Sequence, residues 1–214
     1  MWCWLLLFVL LIRIVFVLPK SPKSPESVHK RTTPCKIFVV LGSGGHTAEM
    51  LQLLSGLDLR TKYHPRVYVM AETDTLSEVK AQRFEKKAGG SEGPGKDFLI
   101  KKIPRTREVG QSWLTTPFSV LKALFFSALL VFSELPDAIL CNGPGSCIPL
   151  CVLTYIPKIL AIKHTHLIYV ESFARVNSLS LTGKLLYRFV DRFLVQWQAL
   201  ANKYPRAEYR GVLV

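Results

Sequence analysis

Along this chain, short β-branched apolar runs alternate with stretches whose apolar positions recur at helical spacing. Residues 36–41, Lys-Ile-Phe-Val-Val-Leu, form the first run, of the kind that fills a parallel strand covered on both faces. It breaks at Gly42 and passes into residues 47–54, which carry the helical pattern, so the first unit reads strand, glycine-rich turn, helix. Further strands are predicted over 66–70, 98–103, 138–141, 167–170 and 193–195, and helices over 76–87, 116–134, 181–189 and 199–204. A loop is expected over 89–95, and a helical segment over 145–160 is interrupted by Pro149 and Pro157. This alternation predicts an α/β fold, a Rossmann-like parallel sheet wound on both faces. Ligands of such sheets sit beyond the carboxyl ends of the strands. Residues 42–47, 142–146 and 171–175 put polar or glycine-rich sequence at those places.

From Trp2 to Leu18 the chain is apolar apart from Arg13. As a helix rising about 1.5 Å per residue it spans roughly 25 Å, which suits a thin bilayer of about 27 Å. Arg13 would cost about 2.5–3.5 kcal/mol at the bilayer centre. It lies toward the Leu18 end, where its stem can snorkel to the headgroups. A cleaved signal peptide is the alternative, but no basic segment precedes the run and no small-x-small site follows it. Lys20, Lys23, Lys30 and Arg31 follow instead, which places the remainder of the chain in the cytosol. The chain therefore divides into a transmembrane anchor (1–18), a flexible Pro-, Ser- and Lys-rich linker (19–35) and an α/β domain (36–214).

The net charge of +13 calls for an anionic partner, and phospholipid and nucleic acid qualify equally by charge. The apolar N-terminus favours the membrane, and no nucleic-acid-binding motif is present. Residues 116–134 are greasy almost all round, Phe125 included, although Lys122 and the length argue against a second crossing. Lys101, Lys102, Arg105 and Arg107 stand just upstream. Basic residues beside an apolar helix suit an element lying on an anionic membrane; a helix sandwiched in the core is the other reading, and both stay open. Lys80, Arg83, Lys86 and Lys87 are expected on a solvated helix face. The five cysteines show neither a C-x-x-C pair nor zinc spacing, so no metal site is expected, and Cys147 and Cys151 read as core.

The chemistry concentrates in the strand ends. Gly42, Ser43, Gly44 and Gly45 let backbone N–H groups approach an anion at a helix start, with His46 and Thr47 opening the helix. His46 could serve as general base or as a phosphate ligand. A tight turn without a ligand is the bland alternative. No Lys-Ser/Thr follows, which excludes a Walker A loop, and Thr47 replaces the third glycine of a dinucleotide fingerprint. Glu72 could still bind a ribose, which keeps a nucleotide oxidoreductase among the readings. Asn142, Gly143, Gly145 and Ser146 form a second glycine-rich end able to hold a diphosphate from the other side. Glu171 stands at a third, where a carboxylate would orient a base or a sugar hydroxyl, or simply belong to a helix cap with Ser172.

Gly42-Ser-Gly-Gly-His-Thr-Ala-Glu-Met50, Asn142-Gly-Pro-Gly-Ser146 and Tyr169-Val-Glu-Ser-Phe173, behind an N-terminal anchor, resemble a known family. It is the membrane subunit of the eukaryotic UDP-N-acetylglucosamine transferase of dolichol-linked oligosaccharide synthesis. More widely, the chain is similar to the N-terminal half of bacterial GT-B glycosyltransferases. The resemblance implies that this chain binds a lipid-diphosphate acceptor, N-acetylglucosaminyl-diphosphodolichol, on the cytosolic face of the endoplasmic reticulum. A soluble partner subunit would bind UDP-GlcNAc as co-substrate, with no covalently held cofactor. Gly44, Gly45 and His46 match the family's first loop, Gly143 and Gly145 the second, and Glu171 the strand-end acidic position. Val212, Leu213 and Val214 are expected to pack on the partner or to form a last edge strand. A scaffold that only recruits a complete enzyme is the competing reading.

Overall fold

The computed structural model describes residues 2–19, 31–89, 93–95, 97–107, 110–112 and 114–214. Most of the expected linker, and the middle of the loop expected over 89–95, lie outside the described residues. Helix α1 (Trp2–Val17) runs as one continuous helix through the segment expected to be an anchor, and the Trp2 side chain lies outside the description. Among the described residues the strands are β1 (Ile37–Val40), β2 (Arg66–Ala71), β3 (Phe98–Ile103), β4 (Ala138–Cys141), β5 (His166–Val170), β6 (Arg192–Val195) and β7 (Ala207–Tyr209). They form a seven-stranded sheet in the order β3-β2-β1-β4-β5-β6-β7, every neighbouring pair parallel.

Strand β1 shows why its sequence is apolar at every position. Phe38 and Val40 belong to one core cluster and Ile37 and Val39 to the other, so both faces are buried. Helices α2 (Gly45–Ser55) and α3 (Thr75–Lys87) cover the Ile37 face. The Phe38 face is covered by α4 (Thr116–Glu134), α5 (Cys147–Leu153), α7 (Leu181–Leu186) and α8 (Gln198–Lys203). The segment expected as one interrupted helix divides at Thr154 into α5 and the short α6 (Tyr155–Ile159). Cys147 and Cys151 are buried as expected, with Cys151 Sγ 3.7 Å from Cys141 Sγ. Burial raises the Cys141 thiol pKa, which keeps it unreactive.

Two polar clusters hold the layers in place. Glu85 of α3 accepts the Arg66 fork at 2.6 and 2.7 Å and the Tyr68 hydroxyl at 2.6 Å, joining α3 to β2. The predicted solvated face of α3 is present, with Lys80, Arg83, Lys86 and Lys87 exposed. At the amino ends of the strands, Asp137 accepts the Lys36 N–H at 2.9 Å and pairs with Lys163 at 2.5 Å and Arg31 at 2.9 Å. Burial works against its charge, but Lys163, the Lys36 amide and Arg31 together hold its carboxyl below the usual range.

Candidate acceptor site at the strand ends

The order 3-2-1-4 places a topological switch between β1 and β4: the chain leaves β1 toward β2's side and leaves β4 toward β5's. In sheets of this kind ligands bind in a crevice beside the loops that follow the two strands at such a switch. Both are the glycine-rich segments, and they touch. A Cβ on Gly42 would lie 2.8 Å from Pro144 Cβ and 3.1 Å from His46 Cβ. Gly44, the N-cap of α2, adopts φ 70° and ψ −121°, a conformation open to glycine. Ser43, Gly44 and Gly45 are exposed, so the first turn of α2 presents its N–H groups outward. Gly145 is exposed on the opposite lip, and Ser146 is the N-cap of α5.

Two expected site residues face inward. Thr47 is fully buried, its hydroxyl bonded to the Gly42 carbonyl and, at 2.6 Å, to Ser77 Oγ, so its side chain fastens the turn from beneath. Asn142 is also fully buried, and it meets His46: His46 Nδ1 and Asn142 Oδ1 are 3.3 Å apart. Glu49, which the sequence did not single out, closes the group. It accepts from Asn142 Nδ2 at 3.0 Å and from Ser172 Oγ at 2.9 Å, linking all three strand ends.

Glu171 is fully buried. Its carboxylate accepts from Ser180 N at 3.0 Å, Ser180 Oγ at 3.2 Å and Ser172 N at 3.2 Å, fastening the exposed 173–178 segment. Burial and the neighbouring Glu171 charge raise the pKa of Tyr169. His164 and His166 lie 4.8 Å apart at the opposite, amino end of β5, far from this chemistry in the sheet. Glu72 is exposed at the end of β2, beside Arg105 and Lys122.

Helix α4 resolves one open choice. Ala123, Ser127, Leu130 and Val131 bury a narrow face, while Phe118 (76%), Leu121 (67%), Phe125 (60%) and Leu129 (54%) stay exposed. It is not a helix sandwiched in the core. Among the described residues it is also the helix long and apolar enough to cross a membrane, by length and composition alone. The outer surfaces of α5, α6 and α7 continue this greasy layer through Val152, Ile156, Leu181 and Leu185. Helix α1 packs on α6, where Arg13 Nε donates to the Ile159 carbonyl at 3.1 Å. Lys101 and Lys102 are drawn into ion pairs with Glu134 (3.3 Å) and Glu78 (2.7 Å). At the other end of the chain, Leu213 packs against the Ile37-side core and its N–H donates to Gln196 Oε1 at 3.2 Å, while Val212 stays exposed. The last edge strand is β7, over Ala207–Tyr209, upstream of that tail.

A family model described as "Oligosaccharide biosynthesis protein Alg14 like" matches residues 37–213. The chain is 48% identical over 196 residues to the UDP-N-acetylglucosamine transferase subunit alg14 of Schizosaccharomyces pombe, covering 90% of this chain and 87% of that one. With the human subunit ALG14 it shares 42% identity over 207 residues, covering 96% and 92%. In fold, it superposes on MurG of Acinetobacter baumannii with a TM-score of 0.54 at 17% identity. That match covers 83% of this chain and 45% of MurG, so the chain spans about half the length of that structure.

Proposed function

Because the chain belongs to the Alg14-like family of oligosaccharide biosynthesis proteins, we propose that it is the acceptor-binding, membrane-holding subunit of a two-chain UDP-N-acetylglucosamine transferase. A soluble partner binds UDP-GlcNAc, and this chain presents N-acetylglucosaminyl-diphosphodolichol at the cytosolic face of the endoplasmic reticulum. The observation that carries the reading is the pair of interlocked glycine-rich strand ends with His46 between them. The α2 N-terminus offers backbone donors and partial positive charge to a diphosphate. Relatives that the chain covers nearly end to end are each called a subunit, which supports a partner.

Membrane attachment has two parts in this reading. Helix α1 crosses the bilayer, and the exposed face of α4, around Phe125, rests at the headgroup boundary. A lipid diphosphate then reaches the crevice without leaving the membrane surface. Val212 and its neighbours Leu213 and Val214 form part of the seat for the soluble partner.

The test is reconstitution. The full chain and its soluble partner, each purified alone and then mixed, are assayed with UDP-GlcNAc and a lipid-diphosphate acceptor. Transfer is expected from the mixture only. His46→Ala is expected to lower turnover by roughly a hundredfold while the two chains still co-purify. Transfer by this chain unaided, or full turnover with His46 removed, would overturn the assignment.

A further inference from the structure

Three groups at the strand ends are connected in an order that has a chemical consequence. Glu49 lies one helical turn after His46 on α2, and among the described residues its carboxylate is bonded to Asn142 and Ser172 rather than to the imidazole. It reaches Asn142 Nδ2 at 3.0 Å instead, and Asn142 Oδ1 in turn faces His46 Nδ1 at 3.3 Å. A carboxylate only accepts hydrogen bonds, so the edge of the Asn142 amide turned toward Glu49 must be its NH2. The edge turned toward His46 is then the carbonyl, which also only accepts. His46 Nδ1 must therefore carry the proton, and in the neutral ring Nε2 holds the lone pair. Asn142 is fully buried, and among the described residues it is the ring's hydrogen-bond partner. Ser172 Oγ donates to the second Glu49 oxygen at 2.9 Å, which keeps the carboxylate aimed. The ring also packs closely on Gly143: a Cβ there would lie 2.5 Å from His46 Cε1 and 2.9 Å from Nδ1.

We propose that Glu49 and Asn142 are positioning residues that fix the His46 tautomer, so that Nε2 acts as proton acceptor rather than as a donor to phosphate. The inference rests on the acceptor-site reading above and settles which of two roles His46 plays within it. A lone pair at Nε2 repels a phosphate oxygen but receives a hydroxyl proton. In the transfer step, the acceptor hydroxyl oxygen forms the new bond to C1 of N-acetylglucosamine. The C1–O bond to UDP breaks, UDP leaves with the electron pair, and the hydroxyl proton passes to Nε2. The resulting imidazolium donates through Nδ1 to Asn142, whose carbonyl dipole is held by Glu49. Buried groups arranged in series in this way orient a base without themselves changing protonation state.

The tautomer is measurable without turnover. The full chain, in nanodiscs and labelled with 15N-histidine, carries five histidines, and loss of one signal in His46→Gln assigns the ring. The neutral wild-type ring is expected as Nδ1–H. Glu49→Leu frees the Asn142 amide to turn, and the Nε2–H form should appear together with a roughly hundredfold loss of turnover in the reconstituted complex. Moving the charge, in a Glu49→Leu/Asn142→Asp double variant, should restore Nδ1–H and bring turnover back to within about tenfold of wild type. A wild-type Nε2–H ring, an unchanged tautomer in Glu49→Leu, or a double variant that regains Nδ1–H without turnover each overturns the proposal. Absence of transfer from wild-type complex would instead strike the acceptor-site reading, and the tautomer result would stand apart from it.

Discussion

Gly143 and His46 are in such close contact that no side chain fits between them: a Cβ at 143 would stand 2.5 Å from the imidazole Cε1. Gly143 also has φ +81°, where an L side chain is strained by about 1–2 kcal/mol. Gly143→Ala should therefore push the ring off its seat. We expect turnover of the reconstituted complex to fall more than tenfold, since small misplacements of a reacting group cost that much or more. Stability should fall by about 1–2 kcal/mol in urea melts. Full turnover in Gly143→Ala would mean that the ring's position is unimportant.

Glu171 separates a structural role from a chemical one. Its carboxylate is enclosed by Ser172, Ser180 and the Gly183 backbone, where an added Cβ would meet Oε2 at 2.3 Å. Glu171→Gln should cost about 1–3 kcal/mol by weakening charge-assisted bonds. Hydrogen exchange over 173–178 should quicken. Turnover should fall less than in His46→Ala, and equal losses in the two variants would give Glu171 a direct part in the chemistry.

Asp137 makes the fold acid-sensitive. Its carboxyl titrates below the ordinary value of 3.8 in the folded chain. Its contribution is present above that value and disappears as pH falls through the lower folded one. Asp137→Asn should cost about 2 kcal/mol near pH 7 and progressively less below about pH 4. Thermal melts of the two proteins should converge in acid, and a gap that stays constant with pH would rule out the linkage.

The exposed face of α4 is predicted to serve the bilayer rather than the domain. Leu121→Asp and Phe125→Asp should change thermal stability by no more than about 0.5 kcal/mol, because neither side chain is in the core. Turnover on a long-chain acceptor in vesicles should drop, and turnover on a short, soluble acceptor should not. Equal losses on both substrates would assign the face to the partner or to the crevice.

What could be read from the residues depended on burial. Runs such as 36–41 and 138–141 announce strands because both their faces are covered, and no polar position interrupts them. Strand β7 lacks that signature because Ala207–Tyr209 is short, lies at the sheet edge and leaves Tyr209 exposed. The glycine-rich ends were legible as turns before helices, and their order in the chain suffices to bring them to one edge of a parallel sheet. Glu49 has the local pattern of an ordinary helix residue. Its spacing of one turn from His46 was the available signal, but nothing local reveals that Asn142, from a distant strand, comes between them. The burial of Glu171 is hidden for the same reason: its partner Ser180 is the N-cap of the following helix. The α4 pattern could not distinguish core from membrane, since an apolar helix suits either; the narrow Ala123–Ser127 seam, visible only once packed, decides how much of it is covered.

The Arg13–Ile159 bond gives α1 something a plain hydrophobic segment lacks, which is an azimuth. Leucine and phenylalanine side chains allow a helix to spin about its own axis at little cost, whereas a guanidinium engaged with the Ile159 carbonyl at the end of α6 does not. The rotation of the shaft and the bearing of the crevice become one variable. On the proposed reading, an acceptor diffusing in the membrane plane would meet a site that always faces the same way relative to the helix that carries it.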